Sequence, residues 1–197
     1  MNTEDEKFIN IRAAARELFW KHGIKRVSVE EICEVAGVSK MTFYKHFRNK
    51  TELAVYLLEE LFNEGLQAYR EIRDSEASYE EKALKIIDLK MHNMHGISQE
   101  LLNDIYKYKD EELSKTVESI KNRMLDIYME DFREEQKKGN LRPDIKPEFI
   151  LYMLNKTTEI ITDTELTNLY PSTEDMLSDI LGFYFYGFLS DRKRIRP

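Results

Sequence analysis

The residues with the clearest chemical potential fall in one short stretch. Between Gly37 and Lys50 the chain carries Lys40, Lys45, Arg48 and Lys50 and no acidic residue, with Ser39, Thr42, Tyr44 and His46 set among them. Cationic groups interleaved with hydroxyls suit phosphate oxygens, which carry charge and accept hydrogen bonds. The charge balance sets this region apart. Residues 1–53 hold ten Lys/Arg against eight Asp/Glu, and the remainder twenty against twenty-nine, which together give the net charge of -7. A local basic patch on an acidic body can hold a polyanion at one face and keep it off the rest.

Other reactive residues are fewer. Asp88, His92 and His95 fall on adjacent turns of one helical segment. That spacing can present ligands to a divalent ion, but no fourth ligand accompanies them, and no metal is expected. Cys33 is the single cysteine, so an internal disulfide and an all-cysteine cage are both excluded. It reads as a small core residue; a thiol switch is the sharper alternative, against which stands the inertness of buried thiols. No nucleophile motif, phosphate loop or paired acid and base is present, and the carboxylates sit at helical spacing beside Lys or Arg, as solvated faces do. Neither an enzyme nor a cofactor is expected.

The elements that must position the basic stretch are helices. Gly (7) and Pro (4) are scarce in 197 residues, so turns are few and helices long. Phe8, Ile11, Ala15, Leu18 and Phe19 recur at three- and four-residue spacing in a first helix, about Glu6 to His22, which Gly23 ends. Ser28 followed by Glu31 is a capping box that opens a second helix, with Ile32, Val35 and Ala36 on its inner face and Gly37 at its end. Ser39 caps a third helix to about Phe47, anchored by Phe43 and Phe47. Helix, tight glycine turn, helix is the helix-turn-helix spacing. A fourth helix runs from Lys50 to about Arg73. Further helices are expected at about 78–94, 99–107, 111–138, 148–166 and 173–191, about nine in all, with no strand pattern. The fold class is all-α: residues 1–50 form a three-helix helix-turn-helix domain, and residues 51–197 a larger helical domain.

The N-terminus opens on Glu4, Asp5 and Glu6 rather than on a secretion signal, and the longest strongly apolar run, Ile180 to Leu189, is too short to cross a bilayer. A cytoplasmic protein with no membrane contact is expected. The last helix carries Met176, Leu177, Ile180, Leu181, Phe183, Tyr184, Phe185, Tyr186, Phe188 and Leu189 over nearly its whole circumference. A helix apolar all round is buried on more than one side. Self-association through the last two helices, with Gly182 and Gly187 permitting close approach, is the economical expectation.

Ile11-x-x-Ala14-Ala15-x-x-Leu18-Phe19-x-x-x-Gly23, then Ser28-Val29-x-x-Ile32, then Ala36-Gly37-Val38-Ser39-Lys40-x-Thr42-Phe43-Tyr44-x-His46-Phe47-x-x-Lys50-x-x-Leu53 resembles the signature of the tetracycline-repressor (TetR) family over roughly fifty residues. Gly139-Asn140-Leu141-Arg142-Pro143-Asp144 resembles the connector before the last two helices of many members. Two positions depart from the pattern: Cys33 stands where Ala is usual, and Met41 where Gly is frequent. The resemblance implies a transcription regulator whose third helix enters the major groove of double-stranded DNA. It implies Lys40, Met41 and Thr42 as base readers, with Met41 either touching a thymine methyl or acting as an exposed filler. It assigns phosphate contacts to Ser28, Tyr44, His46 and Lys50, with Ser39 and Lys45 beside them. A homodimer would set two such helices about one turn (~34 Å) apart and read an inverted repeat.

The resemblance also implies a repressor released by a small-molecule effector, with the fourth helix as the lever. Met91, Met94, Tyr106, Met124, Tyr128, Phe132, Tyr152 and Met153 are the pocket candidates, and their character suggests an apolar or aromatic ligand; ordinary core packing uses the same residue types. The alternative is a DNA-bound adaptor dimer whose C-terminal domain recruits a protein.

Overall fold

The computed structural model describes residues 3–107 and 110–188, and within them the regular structure is helical: α1 (Thr3–His22), α2 (Val29–Ala36), α3 (Lys40–His46), α4 (Lys50–Arg73), α5 (Tyr79–Met94), α6 (Gln99–Lys107), α7 (Glu111–Lys138), α8 (Pro147–Ile161), α9 (Thr164–Thr167) and α10 (Thr173–Phe188). The all-α expectation holds. The chain divides into two compact units, Met1–Gln67 with Asn93–Ile120, and Ala68–His92 with Lys121–Pro197. Residue 50, the boundary expected from sequence, lies inside the first unit, where Leu53, Ala54 and Leu57 of α4 join one core with α1, α2 and α3.

Local signals explain where the first helices start and stop. Ser28 caps α2: its Oγ accepts from the Glu31 backbone N–H at 3.2 Å, and its own N–H donates to Glu31 Oε2 at 2.7 Å. Gly37 closes α2 in the left-handed region (φ 65°), and the Val38 N–H donates to the Cys33 carbonyl at 3.0 Å. Ser39 then caps α3 by accepting from the Thr42 N–H at 3.1 Å.

Apolar spacing explains what the caps are packed into. Ile11, Ala15 and Phe19 of α1 meet Ile32, Cys33 and Ala36 of α2, Phe43 and Phe47 around α3, and Leu101 of α6. Cys33 is 5% exposed, and burial pushes its thiol pKa up, which keeps it protonated and inert. Val35 departs from its expected place on the inner face: it is 55% exposed. On a 100° helical step Ile32, Cys33 and Ala36 define the buried arc and Val35 falls beyond its edge.

The second unit has its own core, with Leu141, Ile150, Met176 and Leu177 buried. The connector after α7 is fixed by the Gln136 amide, which donates to the carbonyls of Arg142 (2.8 Å) and Ile145 (2.7 Å). The helix expected over 148–166 is two helices. Asp163 accepts from the Glu165 and Leu166 N–H groups at 2.8 and 3.2 Å and caps α9 after α8 has ended at Ile161. An acidic residue satisfying orphan amides starts a new helix instead of continuing the old one. Among the described residues no helix is long and apolar enough to cross a membrane. The expectation for the side chains of Tyr184 to Leu189 lies outside the residues described.

Candidate nucleic-acid interface

Helix α3 is seven residues long, too short to persist alone, so its face is set by what buries it. Phe43 (0% exposed) and Phe47 (4%) turn inward. The opposite side presents Met41, 72% exposed, and Tyr44, 55% exposed, with Lys40 and Lys45 also exposed. Tyr44 stands edge-on to the Phe43 ring at 5.4 Å, so its ring rests on a buried base. Thr42 is half-buried, and its Oγ1 lies 3.0 Å from Ser39 Oγ. The structure therefore gathers Ser39, Lys40, Met41, Thr42, Tyr44 and Lys45 at one short helix.

The remaining predicted contacts are more constrained. The Ser28 hydroxyl lies 2.7 Å from Glu31 Oε2 as part of the capping box. His46 is half-buried; its ring tilts against Phe8 at 5.5 Å, and its Nε2 is buried with no hydrogen-bond partner, so that nitrogen faces the interior rather than a phosphate. Arg48 is held by Glu52 and by Glu112 at 3.1 and 3.2 Å.

Lys50 has a role that its position alone does not reveal. A cation in the first turn of a helix opposes the helix dipole. Here its Nζ donates to the carbonyls of Lys25 (2.8 Å) and Val27 (2.7 Å), and burial lowers its pKa. Two of three ammonium protons thus fix the loop leading to Ser28. Lys50→Met is expected to leave those carbonyls without their partner and lower the stability of the protein by about 1–3 kcal/mol, read from denaturant midpoints; an unchanged midpoint would show that the two bonds hold nothing in place.

Two acidic residues with direct contacts were not singled out from sequence. Glu30, in the first turn of α2, is bonded to Lys40, and Glu60 of α4 is bonded to Arg12 of α1. Both pairs join residues far apart in sequence, so spacing carries no signal of either.

The predicted pocket residues are divided between the two units. Met94 and Tyr106 belong to the first unit, while Met91, Met124, Tyr128, Phe132, Tyr152 and Met153 belong to the second. None of the eight is fully buried, and Tyr152 is 58% exposed. Tyr128 sits in a polar network that sequence did not suggest. Its hydroxyl accepts from Lys90 Nζ at 3.0 Å, and its ring stands edge-on to Tyr69 at 5.5 Å; the Tyr69 hydroxyl in turn donates to Asp131. Burial, followed by that bond, raises the Tyr69 pKa and keeps it a donor. An open groove of about 710 Å³ in the second unit is lined by Met129 and charged residues of α7 and α8, including Asp126, Arg133 and Glu148, and by none of the eight. Asp88, His92 and His95 do not form a ligand cluster; no group of three potential metal ligands occurs among the described residues.

Comparison with known proteins bears on the first unit. The family described as bacterial regulatory proteins, tetR family, matches residues 11–57. The HTH-type transcriptional regulator TtgR of Pseudomonas putida is 44% identical over 48 residues, 24% of this chain and 23% of that protein. The chain spans about a quarter to a third of the length of the curated relatives it matches. Solved structures extend the likeness in fold. Regulatory protein TetR from Rhodobacter sphaeroides superposes with a TM-score of 0.72 at 19% identity, over 92% of this chain and 98% of that one. The transcriptional regulator FadR from Bacillus subtilis, solved in complex with stearoyl-CoA, gives 0.66 at 22% identity, over 91% and 98%.

Proposed function

We propose that this chain, whose residues 11–57 match the tetR family of bacterial regulatory proteins, is a DNA-binding regulator that represses transcription from a pseudo-palindromic operator and is released by a small apolar or aromatic ligand. The observation that carries this reading is α3 itself: a short helix pinned by Phe43 and Phe47 whose free face holds Lys40, Met41, Tyr44 and Lys45. A helix of this kind fits the major groove, with its first residues at base edges and its later ones at phosphates. Lys40, Met41 and Thr42 are the base readers. Ser39, Tyr44 and Lys45 contact phosphates, Lys50 adds its third proton there, and Ser28 acts through the α2 cap. His46 contributes mainly by packing.

Two copies read the two half-sites. Supporting a homodimer through α8 and α10, Phe149 and Tyr152 lie one turn apart on α8 at 54% and 58% exposure, Phe183 on α10 is 74% exposed, and a Cβ added to Gly182 would meet nothing within 4 Å. Stearoyl-CoA in a protein of the same fold supports a ligand with an apolar portion.

The test is selection of bound duplexes from a random pool by the full-length protein at low ionic strength, repeated with Lys40, Tyr44 and Lys45 all changed to Ala. Wild type is expected to enrich an inverted repeat, and the triple variant to lose affinity by about tenfold or more for each contact removed. Equal retention of both proteins would remove the assignment. Adding long-chain acyl-CoA to the bound complex then tests release.

A further inference from the structure

Resting on the DNA-binding reading above, we propose that Glu30 is a specificity-determining residue. With Lys40 it forms one donor–acceptor pair that reads a guanine–cytosine pair in the major groove, the carboxylate accepting from the cytosine amino group while the ammonium donates to guanine.

A carboxylate in the first turn of a helix is favoured by the helix dipole, and this one has a second partner. Glu30 lies in the first turn of α2, and its side chain meets Lys40, the first residue of α3, in an ion pair that leaves the two side chains 60% and 54% exposed. Exposed pairs of this kind contribute little to folding. The α2–α3 turn does not need it, being fixed already by Gly37, by the Val38 to Cys33 hydrogen bond and by the buried Ile32 and Phe43. The neighbouring Glu31 is committed to the Ser28 cap, whereas Glu30 reaches across to the helix that carries the base readers. A negative charge beside the base readers repels phosphate and weakens binding to every duplex unless the carboxylate itself meets a donor there.

The chemistry of the groove supplies one. Cytosine presents an amino donor and guanine its O6 and N7 acceptors at neighbouring positions of the same pair. A carboxylate and an ammonium already side by side match that order, and the pairing holds the long Lys40 side chain ready for guanine. The Lys40 bond, helped by the amide of Glu30 at the helix start, lowers the Glu30 pKa, so the group is an acceptor throughout the neutral range.

Full-length wild type, Glu30→Gln and Lys40→Met would be compared on the duplex selected by wild type and on each of its single-base-pair variants, with thermal melting as a check on folding. Glu30→Gln is expected to melt like wild type and bind non-specific duplex somewhat more tightly. At one guanine–cytosine position per half-site its discrimination should fall by about 5- to 100-fold, and Lys40→Met should lose preference at the same position. If Glu30→Gln tightens binding to all duplexes while leaving every base preference in place, the carboxylate is only a repulsive charge and the proposal fails, although DNA binding stands. If wild type selects no sequence at all, both readings fall.

Discussion

Phe43→Ala is expected to abolish duplex retention without removing any group that touches DNA. The ring is fully buried, packs at 6.0 Å from Phe47 and supports Tyr44 edge-on. Helix α3 has only seven residues and no length-based stability of its own, so its place depends on this anchor. Emptying the site costs about 3–5 kcal/mol, a large share of the roughly 5–15 kcal/mol by which domains are usually stable. Denaturant unfolding should show the loss, and retention should fail with it. A drop below about 1 kcal/mol would mean that the helix is held elsewhere.

Gly23→Ala should be almost as damaging, for a reason that involves α6. Gly23 has φ +78°, and a Cβ there would lie 2.6 Å from Asp104 Oδ2, 3.2 Å from the Glu100 Cβ and 3.3 Å from the Glu100 carbonyl carbon. The carboxylate can move only by giving up its bond from the Lys25 N–H at 2.8 Å, and the backbone atom moves only if the helix does. The left-handed conformation and the lost contact together cost about 2–4 kcal/mol. Gly37→Ala is the control: its φ is +65°, but a Cβ there would meet nothing within 4 Å, so conformational strain of about 1–2 kcal/mol is the whole cost. Equal midpoints for the two variants would show that the close approach of α6 contributes nothing.

The two glycines also show what sequence could and could not reveal. Both read as helix stops, and both are; that signal is local. The Ser28 capping box, the Ser39 cap, the inward Phe43 and Phe47 and the bounds of α2 to α7 were legible for the same reason, since each depends on residues within about a turn of one another. At Asp163 the apolar spacing runs on and masks the break, though an acidic residue before Thr164 and Glu165 is a cap signal. Lys50 on the Lys25 and Val27 carbonyls, Glu30 on Lys40 and the Lys90–Tyr128–Tyr69–Asp131 network are tertiary, and nothing in spacing announces them. Pocket candidates carry the least specific signal. Met and aromatic side chains on amphipathic helices serve cores, interfaces and cavities alike, and Tyr152 turned out exposed.

Arg12 has a consequence for how any signal arriving along α4 is handled. Its guanidinium lies 5.4 Å from the Phe8 ring centre and 5.3 Å from that of Tyr56 while bonded to Glu60, and Phe8 stacks on Phe47 at 5.6 Å. α1, the end of α3 and α4 are strapped together at one spot, so α4 cannot slide past its neighbours without breaking several contacts at once. Within the first unit these contacts make α1, the end of α3 and α4 resist deformation as one piece. Loosening the strap, for instance at Glu60, would let α1 and α4 shift separately within the first unit.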